Sequence, residues 1–216
     1  MPQPAPFIAN VGELAARSAR AFAAHTAVTS ATRSLTYAEL EQRSNRLANA
    51  LRGMGLVRGD RVGIYLPNCT EIVEIELACY KAAFIKAPFN ARLSPAEVGA
   101  IAANSAAALI VTTAERAEAF RAHIQGPMPR LLLLDGPALN TYEAALAQAS
   151  DAFTPECVTA DEVAVLHYTS GSSGVLKAAM QTFGNRLAQL RKFLMRGEAM
   201  VPGHILGLVG PVTHAS

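Results

Sequence analysis

Arg61-Val62-Gly63-Ile64-Tyr65-Leu66-Pro67 is a mostly apolar run that ends at a proline. Such a run reads as a buried strand, and Pro67, which has no N–H for a ladder, stops it. A helix follows from about Thr70 to Ala83, and Phe84 to Pro88 is a second strand. Two strands joined by a helix lie parallel, because a crossover of this kind returns the chain to the end of the sheet where it began.

The alternation continues on both sides. Upstream, Leu14, Ala15, Ala19, Phe22 and Ala23 recur at spacings of three and four and predict a helix over 11–24. Leu35-Thr36-Tyr37 is a short β-like lead-in. Thr36 is the expected N-cap of the next helix, with Glu39 as its capping-box partner. That helix carries Leu40, Leu47, Ala50 and Leu51 on one face and ends near Gly53 or Gly55. Downstream, Ser94-Pro95-Ala96-Glu97 has a Ser cap and a proline in the first turn, a strong helix start. Ala107 to Val111 is a strand, Ala114 to Ile124 a helix and Leu131 to Leu134 a fully apolar strand. A short helix over 141–149 and a strand from Val163 to Tyr168 follow. This order predicts an α/β fold, a mostly parallel sheet flanked by helices on both faces. Residues 150–160 contain Pro155 and little periodicity. They read as a connector between a first α/β subdomain over 1–150 and a second that begins at Asp161 and runs over 161–216.

Composition narrows the function. Of 216 residues 51% are hydrophobic, which excludes intrinsic disorder. Nineteen Lys and Arg against seventeen Asp and Glu leave a net charge of +2, with no like-charge block, so no nucleic-acid partner is expected. Mean hydropathy is +0.21, yet no 18-residue apolar run occurs, so no integral membrane segment is expected. Met1-Pro2-Gln3-Pro4-Ala5-Pro6 lacks a basic start and an apolar stretch, so it does not read as a secretory signal, and a cytoplasmic setting follows. The three cysteines, Cys69, Cys79 and Cys157, are too few and scattered for a disulfide framework or zinc site and are expected as small buried hydrophobes.

Chemistry concentrates in Leu166-His167-Tyr168-Thr169-Ser170-Gly171-Ser172-Ser173-Gly174-Val175-Leu176-Lys177. An apolar strand runs into a loop of hydroxyls and glycines that closes on a lysine. Glycines let successive backbone N–H groups face an anion. Hydroxyls add donors to phosphate oxygens, and Lys177 adds a full positive charge. The spacing from Gly171 to Lys177 is that of a Walker A loop, but Leu176 stands where its second glycine belongs and Ala178 where its Ser or Thr belongs. The plain alternative is a flexible Gly/Ser linker. A linker seldom sits between two strand-like runs with one lysine at its far end.

Tyr168-Thr169-Ser170-Gly171-Ser172-Ser173-Gly174 with Lys177 resembles the signature loop of the adenylate-forming superfamily, Y-T-S-G-[ST]-T-G-x-P-K-G. Leu35-Thr36-Tyr37-Ala38-Glu39-Leu40 resembles its L-T-Y-x-E-L motif, and Gly59-Asp60-Arg61-Val62 with Leu66-Pro67-Asn68 its G-D-x-V…L-x-N segment. Lys81-Ala82-Ala83-Phe84 through Pro88-Phe89-Asn90-Ala91-Arg92-Leu93 resembles K-A-G-A…P-L-N-x-R-L. Gly210-Pro211-Val212-Thr213-His214-Ala215-Ser216 resembles the P-L-[FT]-H-x-x-G motif of the acyl-CoA synthetase branch. The matches fall in the family's order along nearly the whole chain. Departures are Leu176 for proline, Ala178 for glycine, Ala83 for the glycine of K-A-G, and Gln181-Thr182-Phe183 where L-T-H is common. Losing proline loosens a loop, and Ala for Gly is harmless only at negative φ.

The resemblance implies the first part of the large N-terminal domain of an adenylate-forming enzyme. It implies a fatty-acid–CoA or related acid–CoA ligase that uses ATP, Mg²⁺ and coenzyme A. Thr169, Ser170, Gly171, Ser172, Ser173 and Gly174 would wrap the β- and γ-phosphates, and Lys177 would offset their charge. His214 would line the acid-binding pocket. The family's later motifs and its small C-terminal domain do not appear, so no complete catalytic set and no turnover are expected of these 216 residues. A stand-alone nucleotide- or anion-binding module, or half of a two-chain assembly, remain open. Gly203-His204-Ile205-Leu206-Gly207-Leu208-Val209-Gly210 reads as a buried strand whose far neighbour is absent, so self-association through an exposed sheet edge is expected.

Overall fold

A computed structural model of the chain describes residues 7–136, 141–169, 176–195 and 205–207. The elements run β1 (Phe7–Ile8), α1 (Val11–Ala21), β2 (Thr26–Thr29), β3 (Ser34–Thr36) and α2 (Tyr37–Gly53). There follow β4 (Arg61–Tyr65), α3 (Thr70–Ala82), β5 (Ile85–Pro88), α4 (Pro95–Ser105), β6 (Leu109–Thr112) and α5 (Ala114–Arg121). The last are β7 (Arg130–Leu133), α6 (Tyr142–Gln148), β8 (Val158–Thr159), β9 (Val163–Thr169), β10 (Lys177–Thr182) and α7 (Phe183–Met195). A six-stranded sheet has the order β10-β9-β5-β4-β6-β7. Its pairs are parallel except β9 with β10. This is the expected mostly parallel α/β sheet.

The apolar strands divide their side chains by period two between two layers. Val62, Ile64, Leu66, Leu109, Val111 and Leu132 share one cluster with Leu47 and Leu51 of α2, Ile72 and Ile75 of α3, and Tyr142 and Leu146 of α6. Tyr65, Ala87, Phe89 and Ile110 point to the other side, against Val98 and Ile101 of α4 and Phe120 of α5. Both faces are therefore covered, which is why the strands read as unbroken apolar runs rather than as alternations. Gly63 is the one gap in β4, and a Cβ there would sit 2.9 Å from Ile110 Cγ1 and 3.0 Å from the ring of fully buried Phe89.

Local signals set the helix starts as expected. Thr36 and Glu39 cap α2 reciprocally, and Ser94 and Glu97 do the same for α4 behind Pro95. Helix ends differ more. The helix expected to reach residue 24 stops at Ala21, where the Phe22 N–H bonds the Ser18 carbonyl. The strand expected from Ala107 starts at Leu109, because Ala106 turns left-handed at φ +47 and the Ala107 N–H is drawn back to Ala102.

The connector over 150–160 is a strap held by one stripe of α2. Asn45 donates to the Asp151 carbonyl (2.9 Å), and Asn49 to those of Ser150 (2.7 Å) and Ala152 (3.0 Å). Arg52, which lies over the Phe153 ring, pairs with Glu156. Positions 45, 49 and 52 lie along one helix face. Asn10, the N-cap of α1, bonds the carbonyls of Tyr80 (2.7 Å) and Glu156 (3.0 Å), while the Glu156 N–H donates to the Lys81 carbonyl (2.8 Å). Lys81 has no side-chain exposure, and its ammonium donates to Glu41 Oε2, Ser44 Oγ and Asn45 Oδ1, each at 2.7 Å.

Two expectations are corrected. Of the cysteines, Cys79 is buried and Cys69 half-buried, but Cys157 is exposed. It sits on the strap, where its carbonyl accepts from Arg58 Nη2 (2.8 Å) and its side chain faces solvent, while the neighbouring Val158 takes the buried position. Of the strand expected over Gly203 to Gly210, the described residues Ile205–Gly207 form no strand, and Ile205 is 96% exposed. An apolar run gains ladder bonds only from a neighbour, and none of the described strands pairs with it.

Ala83, where the family motif has glycine, closes α3 at φ +53, and Ala106 closes α4 at φ +47. A Cβ costs energy in this region. Ala106 is exposed, so Ala106→Gly is expected to stabilise the chain by about 1 kcal/mol in urea unfolding. Ala83→Gly is expected to gain less, since its methyl packs with Tyr80, Val158 and Val165. A lower urea midpoint for Ala106→Gly contradicts this reading.

Candidate functional site: a hairpin at the carboxyl edge of the sheet

The strap delivers the chain into β9, which joins the sheet beside β5 through Lys86 and Val165. β9 runs parallel to β5, so Thr169 lies at the carboxyl edge, the side on which open α/β sheets bind ligands. β10 returns antiparallel, with Thr169 opposite Lys177, Tyr168 opposite Ala178 and His167 opposite Ala179. The ends of the hydroxyl-glycine segment are thus held as one cross-strand pair.

Of the sequence-expected site residues, the backbone of Thr169 ends β9 and Lys177 begins β10 with an exposed side chain. Ser170, Gly171, Ser172, Ser173, Gly174 and His214 lie outside the described residues. Leu176, the departure from proline, packs with Leu166 and Tyr168 against the cluster of Phe89 and Ala102. Its side chain seats the far end of the loop in the core, where a proline would have stiffened the backbone instead. Tyr168 donates to Asn104 Oδ1 of α4 (2.9 Å) and ties the same end of β9 to the opposite layer.

A charged cluster lies under the hairpin on the other face. Val165, His167, Gln181 and Lys86 share that face by strand register, as does Lys177 nearer the end of the hairpin. Glu76 of α3 accepts from Lys86 Nζ (2.6 Å) and Tyr80 OH (2.9 Å). Arg186 of α7 donates through Nε to Tyr80 OH (2.9 Å), through Nη1 to Gln189 (2.9 Å), and through Nη2 to Glu76 (3.5 Å). Burial pushes the Glu76 carboxyl up, but the Lys86 ammonium and Arg186 outweigh it and hold the group below its usual range. His167 is shifted down by burial, then by Lys86 and Arg186.

Helix α7 clamps the hairpin from behind. Thr182 and Asn185 cap it reciprocally, with Thr182 N–H to Asn185 Oδ1 at 3.0 Å and Asn185 N–H to Thr182 Oγ1 at 3.1 Å. Gly184 lies so close to the strap that a Cβ would meet the Ala160 carbonyl oxygen at 2.7 Å. Sequence reading passed over β10, α7 and the cluster. The Thr182-x-x-Asn185 spacing was the available signal for α7, a capping box with Asn in place of Glu or Gln. No comparable local signal joins Glu76, Lys86, His167 and Arg186, which come from four separate elements. Among the described residues no three His, Cys, Asp or Glu side chains gather to hold a metal ion, and no helix is long and apolar enough to cross a membrane.

Comparison with known proteins places this geometry. The family model described as AMP-binding enzyme matches residues 15–216. A feruloyl-CoA synthase from an Amycolatopsis species is 39% identical over 176 residues, covering 81% of this chain and 34% of the relative. ATP-bound MatB from Rhodopseudomonas palustris superposes with a TM-score of 0.71 at 26% identity, over 84% of this chain and 37% of that one. A long-chain-fatty-acid-CoA ligase from Archaeoglobus fulgidus shares the fold, with a TM-score of 0.77 at 22% identity over 89% and 40% of the two chains. The chain spans about a third of the length of the curated relatives it matches.

Removing the one carboxylate of the cluster leaves Lys86 and Arg186 facing each other without a counter-charge. Glu76→Gln is expected to destabilise the chain by about 2 kcal/mol, below the full cost of a buried pair because 21% of the Glu76 side chain is exposed. Chemical unfolding measures it, and a change near zero shows that the cluster is fully solvated.

Proposed function

The chain belongs to the AMP-binding enzyme family, and on that premise we propose that it is the N-terminal part of an ATP-dependent acid–CoA ligase. In the proposed reaction a carboxylate oxygen attacks the α-phosphorus of ATP. The bond between the α-phosphorus and its bridging oxygen breaks, and pyrophosphate leaves. The thiolate of coenzyme A then attacks the acyl carbon, and AMP leaves. Activation is needed because an oxide is a poor leaving group and AMP a good one. Catalysis of such a transfer rests on positioning and charge neutralisation.

The cross-strand pair of Thr169 and Lys177 carries this reading. It brackets a segment of hydroxyls and glycines at the carboxyl edge of a parallel sheet, with a lysine at the mouth. Thr169, Ser170, Gly171, Ser172, Ser173 and Gly174 would donate to the β- and γ-phosphates. Lys177 would neutralise their charge, and Mg²⁺ would arrive with ATP. The donor set suits phosphate, since it offers N–H, O–H and ammonium groups and no carboxylate. His214 would line the acid pocket. The acid is of fatty or aryl class, and the relative named feruloyl-CoA synthase supports the aryl side. Residues 1–150 form a first subdomain, and 161–216 begin a second through strands that share the first one's sheet. The setting is cytoplasmic.

Titration calorimetry with Mg·ATP tests the loop. Binding is expected, and Lys177→Ala is expected to weaken it at least about tenfold, the worth of one charge-assisted bond. Unchanged affinity overturns the role of Lys177. Affinity without any carboxylate-dependent pyrophosphate exchange is the expected behaviour of these 216 residues, and measurable exchange overturns their proposed inactivity.

Among the described residues β10 is the outer strand of the sheet, and its Met180 is 67% exposed. Open strands of this kind template pairing. Two copies of this chain are expected to associate through it, giving a concentration-dependent shift in size-exclusion elution. A sharp monomer at every concentration removes the expectation.

A further inference from the structure

His167 sits on β9 two residues before the bracketed loop and takes no part in the proposed phosphate chemistry. The groups that face it are Lys86 of β5, Glu76 of α3, Gln181 of β10 and Arg186 of α7, with the solvent-exposed Lys177 of β10 on the same face nearer the end of the hairpin. Within the hydrogen-bonded cluster Lys86 and Arg186 are the cations and Glu76 is the carboxylate. That carboxylate is already engaged by Lys86, Tyr80 and Arg186. A proton on the imidazole therefore adds a third positive charge to a half-buried group with a single counter-ion.

We propose that the Glu76–Lys86–Arg186 cluster and His167 form a pH-sensitive latch that holds the β9–β10 hairpin and α7 on the sheet and loosens when His167 is protonated. Arg186 is the moving part. It is the bond from α7 to Tyr80 and Glu76 on α3, and α7 follows directly on β10. Repulsion from His167 acts on this contact first, because the Lys86 side chain is held in the sheet at 8% exposure while that of Arg186 is 26% exposed. The sign follows from linkage. Burial and the two cations depress the folded His167 below its unfolded value near about 6.5. The unfolded state then binds more protons in that window, so the latch is intact above about pH 6.5 and weakens as pH falls through the folded pKa. Lys177 begins β10, so acidification loosens the frame of the phosphate segment at the strand that carries its lysine.

Hydrogen exchange of the 216-residue chain tests the latch. It reads backbone amides, so it stands or falls separately from nucleotide binding. Between about pH 7.5 and about pH 5.5, after correction for intrinsic exchange rates, protection in β10 and α7 is expected to fall several-fold more than in β6 and β7. In His167→Gln, which cannot take the charge, this local excess is expected to vanish. Arg186→Gln removes one of the facing cations and is expected to at least halve the excess, which keeps the test decisive if His167→Gln does not fold. An imidazole titration by NMR is expected to lie below that of a free histidine. Equal loss of protection across the sheet, an excess unchanged in the variants, or a His167 titration at or above the free value each overturns the proposal.

Discussion

An ammonium with no access to water needs its oxygen partners in place, and Lys81 has three of them on α2. That requirement locks α2 to α3 at one relative position, since any slide strands a buried charge. Burial pushes the Lys81 pKa down, while Glu41 opposes the shift. The consequences spread through the backbone. The Lys81 carbonyl receives the strap at Glu156, and α1 reaches the same point because Gly12 leaves room for the Lys81 stem, at 2.6 Å from where a Cβ would stand. Four segments thus meet at one residue, α2 through the Lys81 ammonium and the strap through its carbonyl.

From that junction the strap has little freedom. Asn45, Asn49 and Arg52 on α2 receive it, and Asn10 holds its far end. It can then feed β9 only alongside β5. The hairpin and its Thr169–Lys177 pair follow from this placement, because β9 runs parallel to β5 and ends at the carboxyl edge. A second network, buried at Glu74 and Tyr142 and open to solvent at Glu143, runs through Arg43 and ties α2 to α3 and α6 in the same layer. Burial drives the Tyr142 hydroxyl well above its usual range, so it stays protonated and donates to Glu74 at 2.7 Å. Polar groups here carry the specificity of packing that apolar surface alone leaves loose.

Local chemistry was legible wherever one short stretch contained the whole cause. Thr36 with Glu39 and Ser94 with Glu97 each satisfy helix-start N–H groups within four residues, so their spacing announced the helices. The β4-α3-β5 unit was legible because its strands are buried on both faces. Helix ends were less so. Ala83 and Ala106 stop α3 and α4 in a left-handed conformation for which alanine gives no warning. The two-residue strands β1 and β8 have no period to detect, and β10 offers only Lys177, Ala178, Ala179 and Met180 before its last polar pair. The segment Ile205–Gly207 was read as buried from hydropathy, but burial needs a surface to pack on.

The sequence by itself determined the α/β order, the helix starts, the location of the phosphate segment and the family to which these motifs belong. Each of those rests on residues adjacent in the chain or at helical and strand spacings. Only the tertiary structure decided which side chains share a face of the β9–β10 hairpin. Glu76, Lys86, His167 and Arg186 span 110 positions and meet because parallel register sets Lys86 against Val165 and α7 folds back over α3. Charges brought together across such separations interact through burial and distance, and neither quantity exists until the sheet is assembled.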